Sequence, residues 1–142
     1  MRTLSMLLVA ALTSVCTACG DDESEAVRLG VGAACTDDTQ CTEANQHCLT
    51  EFRGGYCGVE DCTADVDCPT GSACVTEDDG HNYCFLVCAN KPECNVHRSL
   101  DNESNCVASL PFVDAADGRK VCRPPLSGTG ADAGAQPDAA TD

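Results

Sequence analysis

The pattern of apolar and polar positions divides the chain into three kinds of segment. Leu4 to Val15 (LSMLLVAALTSV) is a mostly apolar run of 12 residues behind the basic start Met1-Arg2-Thr3. A helix crossing a bilayer needs about 20 apolar residues, so this run reads as a signal-peptide core. Gly20 to Leu29 (GDDESEAVRL) is charged and without apolar periodicity, and reads as a tether. From about residue 33 the apolar residues come in short clusters beside cysteines, separated by turn signals. Ala73-Cys74-Val75-Thr76, then Asp79-Gly80, then Asn82 to Val87 predicts a β-hairpin. Cys48-Leu49-Thr50, Gly54-Gly55 and Tyr56-Cys57 repeat the pattern before it, and Cys106-Val107, Asp117-Gly118 and Lys120-Val121-Cys122 after it. Pro111 argues against a continuous strand within the longer third copy.

The chain has 14 cysteines among 142 residues, and 12 of them share one rhythm. The sets are Cys35, Cys41, Cys48 and Cys57; Cys62, Cys68, Cys74 and Cys84; Cys88, Cys94, Cys106 and Cys122. Their first cysteines are 27 and then 26 residues apart, and the first interval holds five residues in every set. The second intervals hold six, five and eleven residues, and the third eight, nine and fifteen, so the third set is a lengthened copy. Such a period marks tandem units. Large apolar residues are few and Trp is absent, and small domains with so little to bury need staples.

The expected fold is therefore small and disulfide-rich, with little helix: three tandem four-cysteine modules, each a loop plus a short β-hairpin. The expected boundaries are a signal over 1–18, an acidic tether over 19–32, units over 33–59, 60–86 and 87–124, and a disordered tail over 125–142. The Ala-, Gly-, Asp- and Pro-rich composition carries the last of these. Spacing does not determine connectivity. We take first-to-third and second-to-fourth: Cys35–Cys48, Cys41–Cys57, Cys62–Cys74, Cys68–Cys84, Cys88–Cys106 and Cys94–Cys122. The nearest rival swaps partners within a unit. Each bridge closes a short loop and is worth about 3 kcal/mol in the chain-entropy model.

From Cys19 onward, 23 acidic and 7 basic side chains leave a net charge of −16. That works against nucleic acid as a partner, since phosphates must be neutralised by Lys and Arg. It also disfavours charge-driven adsorption to an anionic lipid surface. Zinc would favour C-x2-C pairs, yet the folded region has none. His47, His81 and His97 stand at non-equivalent positions in the three units, unlike a copied site. Asp37-Asp38, Asp65-x-Asp67 and Asp78-Asp79 do not complete an EF-hand loop. Ser72, Ser104 and Ser109 lie in no G-x-S-x-G context, and each folded-region cysteine has a candidate bridge partner in place of a free thiolate. No catalytic residue, metal or cofactor is expected. Asn102-Glu103-Ser104 is a glycosylation sequon.

Cys16-Thr17-Ala18-Cys19-Gly20 closes the apolar run. Here the chain resembles bacterial lipoproteins, whose signal ends in a small residue followed by a lipid-modified cysteine. Cys16 stands where that family usually has Leu. The resemblance implies that Cys19 becomes the lipid-bearing mature N-terminus. Asp67-Cys68-Pro69-Thr70-Gly71-Ser72-Ala73-Cys74, between Cys62 and Tyr83-Cys84, resembles the N-terminal cysteine-rich module of Dickkopf-like proteins. Similar small repeats occur in predicted lipoproteins of myxobacteria, often with an acidic low-complexity segment. Unit one matches partly, since Thr42 follows Cys41, and unit three matches only in its first interval. The expectation is a non-enzymatic, exported cell-envelope protein, held at the outer membrane or cell surface by lipid. It would present its modules to an unknown protein or extracellular ligand, or serve as a spacer. The alternative is a secreted soluble ligand or inhibitor without an anchor.

Overall fold

The computed structural model describes residues 24–41, 43 and 45–128. Cys16, Cys19 and the tail beyond 128 lie outside the described residues. Six strands make two small antiparallel sheets: β1 (His47–Cys48) with β2 (Cys57–Gly58), and a four-stranded sheet in the order β3-β4-β6-β5. The latter joins β3 (Ser72–Thr76), β4 (Asn82–Cys88), β5 (Asn105–Val107) and β6 (Lys120–Arg123). Among the described residues, helix is confined to α1 (Glu25–Arg28) and four short 3-10 turns.

The turns fit their chemistry. Gly54 and Gly55 have positive φ, as do Asp117 and Gly118, so the loops joining β1 to β2 and β5 to β6 turn on residues that tolerate left-handed backbone. Gly55 carries a second constraint, because a Cβ there would fall 2.0 Å from the Cys35 carbonyl oxygen. In each hairpin the third and fourth cysteines lie directly opposite: Cys48 faces Cys57, Cys74 faces Cys84, and Cys106 faces Cys122.

Strand alternation sorts β3 and β4 into two faces. Cys74 and Cys84 lie on one and cluster with Cys62. Ala73, Val75, Tyr83 and Phe85 lie on the other and join the main core. That core is shared along the chain: Ala26 and Val31 before the first cysteine set, Phe52 and Tyr56 within it, and Leu110 and Val121 in the third. Phe52, Tyr56, Tyr83 and Phe85 form one aromatic cluster, with Phe52 edge-on to the other three at 5.1–5.9 Å between centroids. The Leu86 N–H donates to the buried Tyr56 hydroxyl at 3.1 Å.

Three expectations are corrected. First, the end of the tether is part of the body. Ser24 caps α1, Ala26 is fully buried, and the Ala26 N–H donates to Thr70 O at 2.8 Å. Two apolar anchors, Ala26 and Val31, are too sparse to show as periodicity in an acidic stretch. Second, the boundary between units two and three falls inside one strand. β4 carries both Cys84 and Cys88, pairing with β3 along most of its length and with β6 through Val87 and Cys88. Third, the fold continues past 124. Pro124 is buried, Leu126 bridges to Phe52, and the Arg53 N–H donates to Pro125 O at 2.7 Å. The overall Ala-Gly-Asp bias of the tail masks these few contacts.

The lengthened third copy has a structural use. Residues 111–113 run along the free edge of β3, where the Thr76 N–H donates to Pro111 O and the Val113 N–H to Cys74 O. A covered edge cannot pair with another chain.

Candidate functional site

The structure joins Cys35 to Cys48, Cys41 to Cys57, Cys62 to Cys74, Cys68 to Cys84, Cys88 to Cys106 and Cys94 to Cys122. The Cα separations, 5.2–6.0 Å, suit unforced bridges. Each facing cysteine pair thus bridges to the two cysteines ahead of it, which lie in loops in the first two sets and, in the third, at the end of β4 (Cys88) and in a 3-10 turn (Cys94). Sulfurs from the two bridges of a unit lie within 4.8 Å of one another. Among the described residues these cysteine triples are the groups close enough to hold a metal, and every member is in a bridge. A bridged sulfur is no thiolate ligand.

The five-residue interval owes its constancy to a hydrogen bond. The residue after the first cysteine donates its N–H to the side chain just before the second cysteine: Thr36 to Gln40 Oε1, Thr63 to Asp67 Oδ2, and Ala89 to Glu93 Oε2, each at 2.8 Å. A 3-10 turn closes the interval each time, over 38–40, 65–67 and 92–95, the last running through Cys94 to Asn95. A second contact recurs in the first two units. Asp38 Oδ1 accepts from the Cys48 N–H at 2.8 Å, and Asp65 Oδ1 from the Cys74 N–H at 2.9 Å. In both, an acid three residues after the first cysteine orients the strand carrying the third. Sequence reasoning saw in these acids only an incomplete EF-hand pattern. The available signal was their identical offset in the two repeats.

These contacts also account for the aspartates considered for calcium. Hydrogen bonds from the Thr39 hydroxyl and N–H hold the Asp37 carboxyl below its usual range, and bonds from the Thr63 N–H and hydroxyl do the same for Asp67. Asp65 also pairs with Arg119 at 2.7 Å. Asp78 pairs with Arg123, which contacts the buried Glu77 as well. His47 is exposed, 3.8 Å from Asp38, and His81 and His97 are exposed too.

Arg98 is the most heavily used side chain at the junction of the units. Its guanidinium donates to Asn102 O at 2.6 Å, Gly32 O at 3.1 Å, Gly55 O at 2.8 Å and Arg53 O at 2.7 Å, and lies 5.9 Å from the Tyr56 ring centroid. Burial lowers its pKa, partly offset by Tyr56, but an arginine remains charged. One cation therefore ties the segment before unit one, the turn of unit one and the loop of unit three.

The Ser72 hydroxyl donates to Pro69 O, Ser104 is fully buried, and Ser109 is exposed. In the sequon, the Asn102 side chain packs on Gly54, where a Cβ would come within 2.3 Å of it. A shallow depression lined by Val27, Val31, Leu86 and Val96 lies beside α1. No protein-family model matches the chain, and neither a curated protein nor a solved structure matches it.

Proposed function

We propose that this chain is a non-enzymatic cell-envelope protein, attached by lipid at Cys19 and presenting a disulfide-stapled body for binding or as a spacer. The carrying observation is that the twelve cysteines from Cys35 to Cys122 partner one another. A lipid on Cys19 therefore takes no sulfur from the fold. Six bridges in so small a body suit an oxidising, exported setting. No helix among the described residues is long and apolar enough to cross a membrane, so attachment would fall to the N-terminal segment. Stable lipid attachment needs more than one acyl chain, as a lipoprotein-type cysteine would carry.

The loops are the natural display elements. Their cysteines, carboxylates and N–H groups are committed to holding shape, while the tips stay exposed, as Val66 does at 90%. The test is fractionation of the native host expressing the wild type or Cys19→Ser. Wild type is expected in the membrane fraction and the variant in the soluble exported fraction. Wild type that is exported and soluble would replace the anchor with the secreted-ligand alternative.

A further inference from the structure

Large apolar side chains are scarce in this body, yet Val66, Val96, Leu100 and Val113 stand exposed, at 90%, 60%, 86% and 37%. A single exposed apolar residue is ordinary. Val96 and Leu100 differ because they share one pinned stretch. Between them the Arg98 guanidinium turns inward onto Gly32, Arg53 and Gly55, and the His97 carbonyl accepts from the Ala34 N–H at 3.2 Å. The stretch is fastened from behind with its two apolar side chains held outward. Val96 also continues the depression formed with Val27, Val31 and Leu86. Glu93 lines that depression too, but its carboxylate is turned to the Ala89 N–H and the Asn90 amide.

Chain length says what can cover this surface. Val27 follows Cys19 by eight residues, and Ser24, the N-cap of α1, follows it by five. Five steps from Cys19 to Ser24 reach at most about 18 Å. Such a tether keeps the α1 end of the body within about 18 Å of the lipid, so the face beside α1 is the one it brings toward the bilayer. The body's acidic charge makes contact through uncharged side chains the favourable form of apposition.

We propose that the surface carrying Val96 and Leu100, with the partly exposed Val27 beside α1, rests against the bilayer that holds the Cys19 lipid. This rests on the anchor reading, and its test separates the two. The mature chain from Cys19, with its bridges formed, is coupled through the Cys19 thiol to a maleimide lipid in phosphatidylcholine vesicles. The reference is the same chain capped at Cys19 with a small maleimide, with and without vesicles. Hydroxyl-radical footprinting then reads side-chain exposure. Labelling of Val96 and Leu100 is expected to fall several-fold on attachment, with Val66 unchanged. Equal labelling in the attached and capped chains would overturn the proposal. Protection of the capped chain without vesicles would also overturn it and assign the face to a second copy. Because the lipid is attached chemically, the outcome does not depend on whether cells modify Cys19.

Discussion

Replacing Arg98 by Met keeps the length of the side chain and removes every donor. Four backbone carbonyls then lose a partner, those of Gly32, Arg53, Gly55 and Asn102. Hydrogen bonds to a charged group contribute about 1.5–3 kcal/mol each, which would sum to far more than a small domain can lose. Two effects reduce the total: the guanidinium no longer has to be desolvated, and the site is only half-buried, so water reaches some of the carbonyls. We expect a net loss of about 2–4 kcal/mol, in the range for removing one partner of a buried charged contact. In a body of this size that lowers the melting temperature by about 9–18 °C. The assay is thermal and urea unfolding of the oxidised protein, with hydrogen exchange to locate the loosening. Exchange should rise at 32–34, 53–55 and 98–102 while β3 and β4 stay protected. Arg98→Lys should fall between, since an ammonium cannot fork to carbonyls from three segments. A change within about 0.5 kcal/mol for Arg98→Met, the scale of ordinary surface substitutions, would refute the clamp.

Asp65→Ala removes both the acceptor for the Cys74 N–H and the partner of Arg119, and should cost about 1–2 kcal/mol in urea unfolding. Gly55→Ala should prevent correct oxidation, seen as mixed bridge isomers on non-reducing peptide maps, because the new Cβ meets the Cys35 carbonyl at a positive φ. Asp37 and Asp67 should titrate in NMR below the same residues in the unfolded chain. A depressed folded pKa means their stabilisation is present above the unfolded value, near 3.8, and is lost as pH falls through the lower folded value. Chelator should leave the melting temperature unchanged, since the loop carboxylates already hold N–H groups and arginines; a fall would indicate a bound cation.

The cysteine rhythm and the turn residues made the coarse fold legible: disulfide-rich, antiparallel and poor in helix. Gly80 and the pair Asp117-Gly118 stand in turns with positive φ, a backbone conformation that few residues tolerate. Spacing left two pairings open within each unit, and the structure holds the first-to-third, second-to-fourth one. What the sequence hid was the joining of the units. Arg98 is one basic residue in an acidic chain, and nothing local reveals that it binds carbonyls 43 to 66 positions away. Tyr56 and Phe85 pack together from different units at 5.2 Å, a contact without a periodic signature. Ala26, Val31 and Leu126 were lost in polar surroundings because a single buried side chain does not alter a composition window. Asp38 and Asp65 were readable only as a matched pair at one repeat offset.

Intact mass spectrometry of the native protein, taken before and after alkylation without reductant, tests the central claim most directly. The account predicts a chain beginning at Cys19, heavier by its lipid, lighter by two hydrogens for each of six bridges, and unchanged by alkylation. An unmodified N-terminus would contradict the anchor, and alkylated thiols between Cys35 and Cys122 would contradict the stapled body.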